Sequence, residues 1–118
     1  TMRHHVKKKI LGRKSAPKKA LLRNLATSLV LYEKITTTKA KAKFLKSEID
    51  KIITIGKNNT LTNKRKLYDF LFSKNAVKKV FEVYGPRFKD RKGGYTTTVD
   101  LGRRKGDSAE MSMIEFIK

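Results

Sequence analysis

Apolar residues recur along this chain with two different periods. Leu22, Leu25, Ala26 and Leu29 fall at the i, i+3, i+4, i+7 spacing of a one-sided helix. Ser15-Ala16-Pro17 supplies its start, with Ser15 at the N-cap and proline in the first turn, so a helix is predicted from Ser15 to about Tyr32. Glu33 to Thr37 is short and partly β-branched, which fits one strand of a sheet. A cap at Thr38 opens a second helix to about Gly56, buried through Ala42, Leu45, Ile49, Ile52 and Ile53. Its outer faces carry Lys39, Lys41, Lys43, Lys46 and Lys51, and Gly56-Lys57-Asn58-Asn59 stops it. A third helix begins at Thr60 or Thr62 and ends near Ser73, with Leu67, Phe70 and Leu71 inward. In a fourth, Val77, Val80, Phe81 and Tyr84 keep helical spacing until Gly85-Pro86 ends it.

The last third changes to a period of two. Tyr95, Thr97, Val99 and Leu101 alternate with Thr96, Thr98 and Asp100, a strand rich in β-formers. Met111 to Ile117 reads as its partner, with Ile114 and Phe116 on one face, and the tight loop from Gly102 to Asp107 joins the two. The fold class is therefore α+β, order α-β-α-α-α-β-β, a two-layer body with helices packed on a small sheet. Residues 1–14 show no amphipathic period and read as an extended basic arm, leaving 15–118 as a single globular domain. Fourteen extended residues reach roughly 45–50 Å.

Charge decides what kind of partner such a body needs. Thirty Lys and Arg stand against ten Asp and Glu, a formal excess of +20 in 118 residues. A compact chain with that excess repels itself unless a polyanion accepts the field. Nucleic acid is the leading partner and an anionic membrane surface the second. The charge is also uneven: Thr1 to Arg23 holds nine Lys or Arg and no acid, and Arg87 to Lys105 holds seven against Asp90 and Asp100. There is no cysteine, which removes disulfides, thiolate zinc sites and a cysteine nucleophile, and points to a reducing compartment. Apolar runs are only a few residues long, so no segment is read as spanning a bilayer, and no apolar stretch follows the basic start as a secretory signal requires.

Arg3, His4, His5, Lys7, Lys8, Lys9, Arg13 and Lys14, continued by Lys18, Lys19 and Arg23, read as a phosphate-tracking arm running into a basic helix start. Lysine supplies point charge there, while arginine can grip phosphate bidentately or stack on bases. The histidine pair lacks a third ligand and reads as a phosphate or ribose contact, so no metal and no cofactor is expected. Arg87, Lys89, Arg91 and Lys92 surround Phe88 and lead into Gly93-Gly94, a loop whose missing side chains let a nucleic-acid backbone approach. Arg103, Arg104 and Lys105 at the hairpin tip form a further contact, and Asp107 has the spacing of a turn-stabilising residue. No HExxH, GxSxG, Walker A or GxGxxG pattern appears and the carboxylates are scattered, so neither catalysis nor a small-molecule substrate is expected. A nucleoid-type DNA-binding protein is the alternative, but the hairpin tip lacks the apolar wedge that such proteins insert.

An ordered set of short matches covers nearly the whole chain. Met2-Arg3-His4, Leu11-Gly12-Arg13, Arg23-Asn24-Leu25 with Ser28-Leu29, Ile35-Thr36-Thr37 and Ala40-Lys41-Ala42-Lys43 resemble the first half of bacterial large-subunit ribosomal protein seventeen. Ile52 to Lys57, Asn63-Lys64-Arg65, Gly85-Pro86-Arg87-Phe88, Arg91 to Thr96, Gly102, Gly106-Asp107 and Met113-Ile114-Glu115 resemble the second half. The resemblance implies a structural constituent of the large subunit in the cytoplasm. Its partners would be 23S-type ribosomal RNA and neighbouring large-subunit proteins, with no membrane, near the peptide-tunnel exit. Carried over by position, the RNA-facing residues would be Arg3, His4, Gly12, Arg13, Arg23, Arg87, Arg91 and Gly94. Thr97 stands where the family commonly has arginine, and His5 replaces a usual basic residue.

Overall fold

The computed structural model describes residues 15–117; the arm 1–14 and every contact expected of it lie outside the described residues. Helix α1 is Ser15–Tyr32, strand β1 Lys34–Thr38 and helix α2 Lys39–Gly56. Helices α3, Leu61–Phe70, and α4, Lys74–Lys79, follow; α4 continues as a π-helical turn, Val80–Tyr84, into the short α5, Gly85–Arg87. Strands β2, Thr96–Arg103, and β3, Glu110–Phe116, complete the order, and the sheet runs β1-β3-β2 with both pairings antiparallel. The predicted α+β class and the helix, strand, helices, hairpin order are those observed.

The core forms where the predicted stripes meet. Leu22, Ala26, Leu29 and Val30 of α1 are buried with Ala42, Leu45, Ile49, Ile52 and Ile53 of α2, as are Ile114 and Phe116 of β3. Tyr84, Phe88, Tyr95 and Phe116 form an aromatic cluster, the Tyr84 and Phe116 centroids 4.1 Å apart and those of Phe88 and Tyr95 5.1 Å apart. The Tyr84 hydroxyl donates to the Val30 carbonyl at 2.7 Å, answering an acceptor that the end of α1 leaves open. Burial pushes the phenol's pKa up, with the Glu33 charge adding to it.

Three local expectations are corrected. Gly85-Pro86 does not end the fourth helical run. The π turn absorbs the irregularity, and Pro86 occupies an early position of α5, where a missing N–H costs nothing. Thr38 stands at the N-cap of α2 without a side-chain hydrogen bond, because it is already the last residue of β1. Gly102 belongs to β2 rather than to the loop, at φ +89°, where a bulge after Asp100 shifts the register and a left-handed residue is required. Val99 and Leu101 consequently alternate without being buried, since β2 is an outer strand hidden only at Thr96.

Candidate nucleic-acid interface

The basic loop after α5 is held by its two ends. Phe88 and Tyr95 are both buried, so residues 89–94 form a short span between fixed points. Inside it, Arg91 Nε donates to the carbonyls of Gly93 and Gly94 at 3.1 and 3.0 Å. The Arg91 carbonyl accepts from the Tyr95 hydroxyl at 3.1 Å and from the Lys57 ammonium, which also lies 4.7 Å from the Tyr95 ring centroid. Gly94 has φ +63°, a turn that residues with a side chain resist. A Cβ placed on Gly93 or Gly94 would meet nothing within 4 Å, so the backbone here faces open space. Lys89 and Lys92 are exposed on either side.

Arg87 anchors the loop to the body. Its guanidinium meets Glu33 Oε1 at 3.2 Å and lies 5.2 Å from the Tyr84 ring centroid. Lys79 reaches the other Glu33 oxygen at 3.6 Å. The Arg87 hydrogen bond, with the Lys79 and Arg87 charges, holds the Glu33 carboxyl below the usual range although burial opposes it. Arg87 is thus half committed within the chain.

Lysine and arginine of α1 divide in the same way. Lys19 is exposed, while Lys18 places its ammonium 4.9 Å from the Phe44 ring centroid. Arg23 donates from Nε to the Phe70 carbonyl and from Nη2 to the Asp69 carbonyl, both at 2.7 Å, and stacks 4.2 Å from the Phe72 ring centroid. A cation on the open carbonyls of a helix end is electrostatically favoured, so Arg23 closes the C-terminus of α3 from α1.

At the hairpin tip, Arg104 forms a fork to Asp107 with distances of 3.0 and 2.6 Å. That bond, followed by the Ala109 N–H, holds the Asp107 carboxyl down to about 2 and raises the Arg104 pKa. Arg103 lies 3.6 Å from Glu110, which Lys39 approaches at 4.0 Å. Lys105 is exposed, without an ion pair among the described residues. The structure therefore brings Lys89, Arg91, Lys92 and Gly94 together in one loop with Arg87 at its root on α5, sets Lys18, Lys19 and Arg23 on α1, and gives the hairpin tip one uncommitted cation.

Sequence reasoning passed over Lys57 and Phe72. Lys57 looked like a helix terminator, and only the fold brings it to the Arg91 carbonyl. Phe72 was hidden in an apolar run, Phe70-Leu71-Phe72, whose helix ends at Phe70 rather than near Ser73 as expected. Among the described residues no group of three or more His, Asp or Glu converges on a metal position.

A family model described as Ribosomal protein L17 matches residues 21–117. The large ribosomal subunit protein bL17 of Pelobacter propionicus is 45% identical over 117 residues, covering 99% of this chain and 92% of the relative. That of Hydrogenobaculum sp. is 44% identical over 118 residues, covering 99% and 100%, and that of Endomicrobium trichonymphae is 48% identical over 107, covering 91% and 92%.

Proposed function

The chain belongs to the ribosomal protein L17 family, a structural and non-enzymatic constituent of the large ribosomal subunit, and from that premise we propose how it holds ribosomal RNA. The arm 1–14 threads between RNA helices while the body, 15–118, seats on the RNA surface. Contacts come from Arg3, His4, His5, Lys7, Lys8, Lys9, Gly12, Arg13 and Lys14 of the arm, from Lys18, Lys19 and Arg23, from the loop of Arg87, Lys89, Arg91, Lys92 and Gly94, and from Arg103, Arg104 and Lys105. Most of these contacts are to phosphate and few to base edges. The site on the subunit is near the exit of the peptide tunnel, beside other large-subunit proteins, as the family resemblance implies.

One observation carries the reading: thirty cations against ten acids cannot be neutralised inside the chain whatever its fold. The open backbone at Gly93 and Gly94 adds a place where another backbone can come close.

Binding that rests on phosphate neutralisation weakens linearly in log–log salt plots, by roughly 0.7–0.9 per phosphate. Replacing Arg3, Lys7, Lys8, Lys9, Arg13 and Lys14 by glutamine should flatten the slope for transcribed 23S-type RNA by up to about 5 and weaken binding at low salt. An unchanged slope removes the arm from the interface. Mass spectrometry across a lysate gradient should find the chain in the large subunit and in whole ribosomes after a moderate salt wash. Recovery with chromosomal DNA instead would overturn the reading.

A further inference from the structure

Phe72 is 52% exposed in the turn between α3 and α4, although a phenylalanine ordinarily goes to the core. Its place is nonetheless fixed from two directions. Its N–H donates to Thr27 Oγ1 at 3.2 Å, and the Arg23 guanidinium covers the ring at 4.2 Å while being pinned by the Asp69 and Phe70 carbonyls. A flat, oriented and half-open ring backed by a cation does not add to the core.

Its surroundings are cationic. Lys19, Arg23 and Thr27 follow at four-residue intervals along one ridge of α1, and two of them touch the Phe72 segment. Eight residues of helix, roughly 12 Å, separate Arg23 from Ser15, the first residue after the basic arm. On α3, Tyr68 is 48% exposed beside exposed Lys64, Arg65 and Lys66, and Asp69 is the only acid.

We infer that Phe72, backed by Arg23, is a stacking platform for an unpaired nucleobase of the bound RNA, lying on the same ridge that leads to the arm. This rests on the RNA-binding reading above. Bases without a helical partner are held by stacking on aromatic rings and arginine planes, with cations taking the flanking phosphates. The other possible occupant, an apolar side chain of a neighbouring protein, does not call for the cations around the ring.

The test uses the full chain, transcribed 23S-type RNA and a salt titration of binding for Phe72→Ala, Phe72→Leu and Phe72→Trp, each checked by thermal unfolding. Phe72→Ala and Phe72→Leu should weaken binding about tenfold at every salt concentration without changing the slope, and Phe72→Trp should match or exceed the parent. If Phe72→Ala unfolds, the leucine and tryptophan pair still decides. Wild-type affinity in Phe72→Ala overturns the inference. Wild-type affinity in Phe72→Leu does so too, and points to an apolar protein contact. If the unmodified chain fails to bind the RNA, the RNA-binding reading itself falls, and the inference with it.

Discussion

Glu33 sits one residue past α1 with φ +68°, a left-handed conformation that L-residues adopt at a cost of roughly 1–2 kcal/mol. Three contacts hold it there: its N–H donates to the Leu29 carbonyl at 2.8 Å, and its carboxylate takes Arg87 and Lys79. Glu33→Ala and Glu33→Gly lose the ion pairs equally, but only glycine relieves the backbone. Urea denaturation should therefore rank Glu33→Gly above Glu33→Ala by about 1 kcal/mol; equal stability would mean the backbone there is unstrained. Because the folded carboxyl titrates below its unfolded range, the pairs' contribution is present above that range and is lost as pH falls through the folded pKa. The carboxylate is half exposed, so screening leaves only a few tenths of a kcal/mol, which Glu33→Gln should remove from the acid limb of the stability profile. Thr96 offers the opposite case. It is buried, and its hydroxyl finds no hydrogen-bond partner among the described residues. Valine keeps the shape and the β-branching without the unmet group, so Thr96→Val should raise stability by about 1 kcal/mol in the same measurement.

Elements meet most closely where α2 ends against the π turn. A Cβ on Gly56 would stand 2.3 Å from Val80 Cγ1, and one on Gly85 would stand 2.6 Å from the Gly56 carbonyl oxygen. The first neighbour is a side chain that can be shortened; the second is backbone that cannot. Gly85→Ala should cost about 1–3 kcal/mol by overpacking, and Val80→Ala should rescue Gly56→Ala in part while leaving Gly85→Ala unrescued. Equal rescue of both would show that the backbone yields. This contact was not legible beforehand, since a glycine before a proline reads locally as a stop and only the packed α2 carbonyl shows why it is glycine. What was legible were the periods: the stripes of α1 and α2 and the inward face of β3 lie where their spacing put them, because one face had to be buried. Val99 and Leu101 show the limit of that logic, as alternation makes a strand but does not say which strand ends outermost. The candidate interface divides similarly. Its cations could be read from the sequence, but not which of them the fold would spend on Glu33, on Asp107 or on the end of α3.

At the scale of the whole molecule, the described body spans 41 × 33 × 25 Å and the full chain carries twenty excess positive charges. Screening over about 10 Å at 0.1 M salt, and about 3 Å at 1 M, leaves neighbouring cations coupled at low salt and largely independent at high salt. Two groups of interactions respond in opposite directions. The exposed pairs, such as Lys39 with Asp100 at 3.7 Å and Arg103 with Glu110 at 3.6 Å, weaken as salt rises, but each contributes little. Repulsion among the unmatched cations also weakens, and there are more of them than any set of pairs drawn from ten acids can offset. Repulsion should win, so the free chain should melt at a higher temperature in 0.5 M than in 0.05 M potassium chloride. Its affinity for ribosomal RNA should fall steeply across the same range. The opposed signs separate this arrangement from a body stabilised by its own ion pairs, in which both quantities would fall together. Thermal unfolding followed by circular dichroism, beside filter binding in matched buffers, reads the two. A melting temperature that drops with salt would mean that internal pairing, rather than the RNA, is what balances the charge of this chain.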